Sequence, residues 1–428
     1  MRQILFVIFL FTFIDISAQF KNVEIDAWLP GDYGLCEPSI AINPNNPKEM
    51  VVGAILDKVY YSSKGGQKWK EKTMKSSYGV FGDPCIIADN NGDFYYFHLS
   101  DIEGNSWSSE FILDRIVCQK STNGKKWNKG VSIGLNRPKQ QDKEWAVFDP
   151  YSGNIYVTWT QFDKYDSYNP TDSTNIMFSM STDRGLTFTE PIRINEIAGD
   201  CRDDDQTVEG AVPAVGPNGE IYVAWSMDEK IYFDVSLDGG ITWLKEDMII
   251  AYQPEGWNFD IPGISRANGL PITSCDISEG PFKGNIYVNW SDQKNGTDDT
   301  DIWLVKSSDG GQSWSSPIRV NNDDTKTHQF FTWMTVDQSS GYLYIVYYDR
   351  SAYNDNRTDV TLAVSKDGGN TFKNYTISES PFIPEEIAFF GDYNNIDAVD
   401  GVIRPVWTRM DDTITSLWTA LINQEDLD

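Results

Sequence analysis

Short runs of alternating apolar and polar residues cover most of the chain, and turns rich in glycine, asparagine and aspartate separate them. This alternation is typical of half-buried β-strands, and such turns predict hairpins. Six stretches repeat one arrangement, in which an apolar strand, a turn and a second β-rich strand follow one another: EPSIAINPNNPKEMVVGA, DPCIIADNNGDFYYFHLS, EWAVFDPYSGNIYVTWT, VPAVGPNGEIYVAWS, ITSCDISEGPFKGNIYVNWS and FTWMTVDQSSGYLYIVYYD. The pattern predicts an all-β fold built from one repeated unit.

A second repeat follows each of these stretches, with a serine, a polar turn containing glycine, and an aromatic residue. Its six copies are SSKGGQKW, STNGKKW, STDRGLTF, SLDGGITW, SSDGGQSW and SKDGGNTF, which begin at Ser62, Ser121, Ser181, Ser236, Ser307 and Ser365. The closing aromatics are 58, 61, 55, 71 and 58 residues apart. A period near 60 suits a four-stranded antiparallel sheet, so these "box turns" predict the blades of a β-propeller.

The strand arithmetic favours seven blades. After the last box turn, GDYNNIDAVDGVIRPVWTR and SLWTALI supply three strands. The missing fourth strand is available near the N-terminus, where Val23, Ile25 and Ala27 alternate with polar residues. Pairing it with the last sheet would close the ring and cover an exposed edge. Six blades is the alternative.

The box turns resemble the Asp-box, or BNR repeat, of the sialidase superfamily, with its pattern Ser-x-Asp-x-Gly-x-Thr-Trp. The match is complete in the copy ending at Trp243 and nearly so at Trp314, while Lys64 replaces the aspartate in the first copy. Serine and aspartate side chains in such a turn bond to turn amides, so we assign these residues a structural role. The resemblance implies a propeller with six blades in the family itself, and a site on the face opposite the box turns.

The net charge limits the classes of partner that are expected, and the N-terminal residues indicate where the protein is located. Lys and Arg number 35 against 63 Asp and Glu, and the net charge of −28 repels phosphate backbones, so no nucleic-acid partner is expected. Residues 1–18 combine Arg2, a short apolar run and small residues before Gln19, as a secretory signal peptide does. We expect a signal peptide over 1–18 and one propeller over 19–428. The mature protein would be exported to the periplasm or outside the cell, without a membrane span, as a monomer.

The resemblance implies a candidate site. The family uses a Tyr nucleophile, a Glu that activates it, an Asp acid/base and three Arg that hold a sugar carboxylate. Carried over by motif, these functions fall on Tyr393 in GDYN, Glu209 in TVEG, Asp57 in AILD, Arg350 in YYDR and Arg409 in VWTR. The first family arginine is missing, because Cys36 and Glu37 stand in its place. A glycoside hydrolase acting on anionic sugars is therefore expected, with an incomplete sialidase set.

Two other functions stay open. His328 in THQFFTW enters a first strand and, with Arg350 and a tyrosine, could serve β-elimination of uronates. A non-catalytic propeller that binds glycan or protein is the other alternative. Trp257 and Trp333 are candidates to stack on sugar rings, and Trp257 is assigned to substrate binding. No cofactor is expected, although acidic clusters at 200–205 and 298–301 leave a structural calcium ion open.

Overall fold

Seven four-stranded antiparallel sheets make up the computed structural model, which describes residues 19–27 and 34–427. The seven-bladed propeller is confirmed, and the six-bladed alternative is wrong because the C-terminal strands form a complete sheet with the N-terminal one. The predicted signal peptide lies outside the described residues. In that described part, no helix is long and apolar enough to cross a membrane.

Strands are numbered along the chain and given by blade, from the axis outward. They are: blade 1, β2 (Ser39–Ile42), β3 (Met50–Ala54), β4 (Lys58–Ser62), β5 (Lys70–Thr73); blade 2, β6 (Cys85–Ala88), β7 (Phe94–Asp101), β8 (Ile112–Ser121), β9 (Val131–Ile133); blade 3, β10 (Gln140–Phe148), β11 (Ile155–Phe162), β12 (Thr174–Ser181), β13 (Ile192–Arg193); blade 4, β14 (Glu209–Val215), β15 (Ile221–Met227), β16 (Lys230–Ser236), β17 (Met248–Tyr252); blade 5, β20 (Ile272–Cys275), β21 (Ile286–Asp292), β22 (Asp301–Ser307), β23 (Ile318–Arg319); blade 6, β24 (Gln329–Asp337), β25 (Tyr342–Asp349), β26 (Asp359–Ser365), β27 (Lys373–Thr376); blade 7, β28 (Asn395–Val399), β29 (Val402–Asp411), β30 (Ile414–Asn423), β1 (Lys21–Ala27). A small hairpin, β18 (Asn258–Phe259) and β19 (Ala267–Asn268), precedes blade 5, and two 3-10 turns span Ser106–Ser108 and Gln424–Asp426.

The ring closes through the N-terminal strand, as predicted. Strand β1 runs antiparallel to β30, from the pair Lys21–Leu421 to the pair Ala27–Ser416. The closing strand is also tied to blade 6, because the Asn22 side chain donates to the Ile377 carbonyl at 2.8 Å. Joining the two ends of the chain in one sheet covers the edge that β30 would otherwise expose.

A tryptophan in the second strand of four blades fills the space between sheets. These indoles are 0–1% exposed and belong to Trp159, Trp225, Trp290 and Trp407. They correspond to the repeated motifs IYVTWT, IYVAWS, IYVNWS and RPVWTR. Large buried rings of this kind supply much of the apolar area that stabilises a propeller.

The box turns all lie between the third and fourth strands, so they share one face of the ring, here called the box face. In the turn of blade 4 the Gly240 amide donates to the Ser236 hydroxyl at 2.8 Å, and that hydroxyl donates to Asp238 at 2.9 Å. The Thr242 hydroxyl and amide donate to the same carboxylate at 2.6 and 2.8 Å, and they lower the pKa of Asp238 to about 2. Asp238 is thus an ionised acceptor that holds the turn, as the sequence predicted.

The closing aromatics of the box turns pack against the neighbouring blade. Trp243 meets Phe178 edge-to-face at 5.1 Å between ring centroids, and Trp314 meets Phe233 at 4.9 Å. A β-carbon on Gly240 would lie 2.4 Å from the Phe178 ring, which explains the glycine there. These contacts make the box turns joints between blades.

Candidate active site at the mouth opposite the box face

The first strands begin on the face opposite the box turns, and this mouth face also carries the loops that join second to third strands. The inner strand bulges at the mouth in three blades. The register shifts lie between Asp142 and Trp145, Glu209 and Val212, and Phe330 and Trp333. A bulge bends the strand and re-aims its side chains, a device common next to active sites.

Ten side chains from seven loops and strands meet at this mouth and form what we call the mouth cluster: Glu37, Asp83, Asp142, Lys143, Glu144, Asp203, Glu209, Arg266, Asp392 and Tyr393. Two cations hold it together. Lys143 lies 2.5 Å from Asp392 and 3.7 Å from Asp83. Arg266 lies 3.0 Å from Asp203 and 3.4 Å from Asp392.

The carboxyl groups of the mouth cluster are driven toward opposite protonation states. Burial, and next the charge of Asp203, raise the pKa of Glu209 well above its ordinary value. Burial and Asp83 do the same to the pKa of Glu144. Burial also raises the pKa of Asp392, but the charges of Arg266 and Lys143 outweigh it and the net shift is downward. The mouth cluster therefore holds carboxyl groups whose pKa values are shifted in opposite directions.

Two of these acids lack hydrogen bonds to the part of the chain that the structure describes. Glu209 and Glu144 are 0% and 1% exposed, and neither oxygen of either carboxyl group has a partner among those residues. The hydroxyl of Tyr393 is likewise buried without a partner. Leaving a buried polar atom unpaired costs about 1–3 kcal/mol, so such groups call for a functional explanation.

Beneath the cluster, three aromatic rings narrow the channel. Trp145 packs 4.2 Å from Trp333 and 5.1 Å from Tyr393, measured between ring centroids. The cavity that these rings share with Lys143 and Asp392 measures only ≈ 30 Å³, about the volume of one water molecule. A sugar ring can enter only if the cover over the mouth moves.

That cover is the stretch 253–271, which we call the cross-mouth segment. It leaves blade 4 and enters blade 5, yet its contacts reach across the ring. Asn268 donates to the Asp392 carbonyl at 2.9 Å, and the Pro262 carbonyl accepts from Arg350 at 2.8 Å. Arg266 belongs to this segment, so its ion pairs with Asp203 and Asp392 hold the cover closed.

The channel on the box face is wider, with a volume of ≈ 600 Å³, but its acids are occupied. Asp397 accepts from the amides of Ile42 and Ala398 at 2.7 and 2.8 Å. Asp337 accepts from the Ser339 amide at 2.9 Å. These carboxylates serve the backbone, whereas the carboxyl groups of Glu144 and Glu209 in the mouth cluster have no hydrogen-bond partner among the described residues. We therefore place the candidate site at the mouth despite its smaller cavity.

The structure brings together some of the residues proposed from sequence. Glu209 and Tyr393 are both members of the mouth cluster. Asp57 lies in the β3–β4 turn on the same face, at the edge of the cluster. It is close to Glu144, because both carboxyl groups act on one phenol: burial contributes most to the raised pKa of Tyr96, and the charges of Asp57 and Glu144 raise it further. Trp333 lies on the cavity wall.

His328 and Arg350 form a separate pair. The Arg350 amide donates to the His328 carbonyl at 3.2 Å, and the guanidinium, 2% exposed, also donates to Thr358. Burial, and next the charge of Arg350, lower the pKa of His328 to about 4, so the imidazole is neutral. Burial lowers the pKa of Arg350 to about 10. The pair contacts the cross-mouth segment through the bond from Arg350 to the Pro262 carbonyl. Among the described residues, no hydrogen bond or ion pair joins it to the mouth cluster.

Arg409 and Trp257 have other roles in this structure. Arg409 is paired with Asp411 at 2.5 Å and donates to the Ser380 carbonyl, outside the mouth cluster. Trp257 is 1% exposed and its indole donates to the Thr207 carbonyl at 3.2 Å. An indole so completely buried offers no face to a sugar, which corrects its assignment to substrate binding. It anchors the cross-mouth segment.

Most of the mouth cluster was missed at the sequence level. Glu37 and Asp83 each stand just before an inner strand, in CEPSI and GDPCI, and Glu144 lies within the inner strand β10, in KEWAV. An acid at one repeat position in several blades was the available signal, because equivalent positions converge at the axis. Arg266 and Asp203 had no such signal, since they lie in irregular loops.

The structure adds no support for the structural calcium ion that the acidic clusters left open. Within the described residues, no group of three or more His, Cys, Asp or Glu side chains is arranged to hold a metal ion. Asp203 is paired with Arg266, and Asp301 lies 3.4 Å from Arg319. The five cysteines, all within the described chain, are buried free thiols.

No protein-family model matches the sequence, and no curated protein matches it. Solved structures do share its fold. An ulvan lyase of a polysaccharide lyase family is 13% identical with a TM-score of 0.55, and the match covers 94% of this chain and 96% of that one. The sialidase NanB from Streptococcus pneumoniae is 10% identical with a TM-score of 0.53, covering 90% and 83%. The α-L-arabinofuranosidase Arb93A from Fusarium graminearum is 11% identical with a TM-score of 0.52, covering 95% and 98%. At these identities the likeness shows the fold alone.

Proposed function

We propose that the protein is an exported, carbohydrate-active propeller that hydrolyses glycosidic bonds at the mouth cluster. The observation that carries the proposal is that the pKa values of carboxyl groups in the mouth cluster are shifted in opposite directions. Burial raises the pKa of Glu209, which favours its protonated form, while Arg266 and Lys143 lower the pKa of Asp392, which favours its ionised form. Glycoside hydrolysis uses both forms, an acid that protonates the leaving oxygen and a carboxylate that acts as base or nucleophile.

In this proposal Glu209 is the general acid. It stands at the first position of an inner strand, and its raised pKa favours the protonated form that a general acid needs. Asp392, whose pKa is lowered by Arg266 and Lys143, supplies the ionised partner. Burial and the charges of Glu37 and Asp83 raise the pKa of Tyr393, which favours hydrogen-bond donation to the sugar over the nucleophilic role that the sialidase resemblance implies.

The charge balance favours a neutral sugar over the anionic one expected from the sequence. The cations of the mouth cluster, Lys143 and Arg266, are both paired with aspartates. Arg350 and Arg409, which were to hold a sugar carboxylate, are bonded elsewhere. An anionic sugar at this mouth would face an excess of acid without a free guanidinium.

The fold supports a glycan substrate in general terms. The three similar structures named above are, by their descriptions, a lyase, a sialidase and a furanosidase, all of which act on carbohydrates. Elimination remains the second candidate because His328 and Arg350 are adjacent, with a neutral imidazole that could accept a proton. Hydrolysis is favoured because that pair lies apart from the unpartnered acids.

A screen of the purified protein against neutral and anionic oligosaccharides tests the proposal. New reducing ends without ultraviolet absorbance of an unsaturated uronate indicate hydrolysis, and that absorbance indicates elimination. Glu209→Gln should lower turnover at least ~100-fold while the fold persists, because glutamine matches the shape of the protonated acid. Glu246→Gln, an exposed glutamate of the same blade, is the control. Full turnover by Glu209→Gln, or binding without any turnover by the native chain, would contradict the proposal.

A further inference from the structure

A second cavity on the mouth face lies between blades 2 and 3. It measures ≈ 670 Å³, within the ~300–1,000 Å³ of ordinary ligand sites. The loop before β8, the loop before β10 and the β11–β12 loop form its walls, with Trp107, Phe111, Arg137, Lys139 and Tyr165 among the lining residues. We call it the aromatic cleft.

An exposed indole dominates the aromatic cleft. The Trp107 side chain is 59% exposed, although two rings hold it in place. Phe81 meets it edge-to-face at 5.7 Å, and Tyr165 lies 5.3 Å away with its plane tilted by 33°. A large aromatic residue that is fixed and yet presented to solvent marks a binding surface.

Two ion pairs lie in the lining of the aromatic cleft, which also includes Glu110, Lys164 and Asp166. Arg137 lies 2.7 Å from Asp114 and stacks 3.6 Å from the centre of the Phe111 ring. Lys139 lies 2.7 Å from Asp163. The two pairs offer donors and acceptors side by side. Hydroxyl groups, which donate and accept, suit such a lining, while the apolar face of a sugar ring suits the indole.

The aromatic cleft is also connected to the mouth cluster. The Tyr165 hydroxyl donates to Asp203 at 2.5 Å, and Asp203 is paired with Arg266 of the cross-mouth segment. A ligand seated against Tyr165 is therefore one side chain away from the ion pair that holds the mouth closed.

We propose that the aromatic cleft is a sugar-binding subsite, in which a neutral pyranose residue of a glycan chain stacks on Trp107 beside Tyr165. The inference rests on the proposed function in that it assigns an outer subsite to the same glycan. It differs in location, because the residues that bind here are not those that perform the chemistry.

Calorimetric titration with neutral hexasaccharides tests the subsite, the probes being β-1,4-linked glucose, xylose and mannose oligomers. For the probe that the native chain binds best, Trp107→Ala should weaken the Kd about tenfold, or ~1.4 kcal/mol. Trp107→Tyr should recover most of the affinity, because it restores a ring. Tyr151→Ala, which removes an exposed aromatic on the box face, is the matched control and should change nothing.

Three results would overturn the subsite: none of the three probes binds the native chain, Trp107→Ala binds as tightly as the native chain, or Tyr151→Ala loses as much affinity. Failure of the chemistry is distinguishable. If Glu209→Gln cleaves the probe normally, the proposed general acid is wrong, but a loss of binding in Trp107→Ala still supports the subsite. If Trp107→Ala raises KM and leaves kcat unchanged, both proposals stand.

Discussion

Burial of uncompensated acids in the mouth cluster should make the protein less stable as pH rises, and Glu144→Gln should reduce that loss. The side chain of Glu144 is 1% exposed, and neither carboxyl oxygen has a hydrogen-bond partner. Burial, and next the charge of Asp83, raise its pKa well above the ordinary value. The folded state therefore holds a proton that the unfolded chain releases near pH ~4.3.

The sign and size follow from that difference in bound protons. Stability from Glu144 is fully present below the unfolded pKa and declines as pH rises toward the folded pKa, by ~1.4 kcal/mol per pH unit. For a chain of this length that slope corresponds to a Tm decrease of roughly 1.5 °C per pH unit. Glutamine cannot ionise, so the variant should lack this contribution at every pH between the unfolded and the folded pKa of Glu144.

Thermal melts of the native chain, Glu144→Gln and the exposed control Glu246→Gln at half-unit steps from pH 5 to 8 measure the effect. The curve for Glu144→Gln should diverge upward from the native curve as pH rises, while Glu246→Gln follows the native curve. Parallel native and Glu144→Gln curves, or a Glu144→Gln variant that is less stable than the native chain at pH 8, would refute the reasoning.

Other predictions concern the fold and the cover. Trp243→Ala removes a half-buried ring between blades and should cost about 3 kcal/mol in denaturant unfolding, with turnover per folded molecule unchanged; loss of activity in a stable variant would show that the box turns do more than hold blades. Deleting residues 19–27 removes the closing strand and should abolish cooperative melting, so a truncated chain that melts like the native one would disprove the closure. Arg266→Met breaks the ion pairs to Asp203 and Asp392, and it should speed amide hydrogen exchange in 253–271; unchanged exchange there would mean that other contacts hold the cover.

The ring could be predicted because its signals are local and repeated. Each signal can be recognised within a few residues of sequence. The signals are the six box turns, the second-strand tryptophans and the half-buried strand at Val23–Ala27. The blade count followed from strand number, and the structure confirmed it against the family's six.

The site was only partly predictable, because its contacts join residues far apart in sequence. Glu209 and Tyr393 were found through motifs, but Lys143 meets Asp392 across 249 residues, and no local pattern shows that pairing. Trp257 was assigned to sugar binding because it lies in a long loop. The loop instead buries the indole, because burying so large an apolar ring is favourable. Arg350 was expected to hold a ligand, but the side chain is buried and its Nη1 donates to the carbonyl of Pro262.

The most direct test of where the protein works is a crystal structure of Glu209→Gln with the oligosaccharide that the native chain cleaves. The proposed site at the mouth predicts that sugar binds on the mouth face, in the aromatic cleft or extending from it toward Glu209. The cross-mouth segment should be displaced where a sugar ring enters the mouth. Sugar bound in the ≈ 600 Å³ channel of the box face, with the mouth still closed, would contradict it.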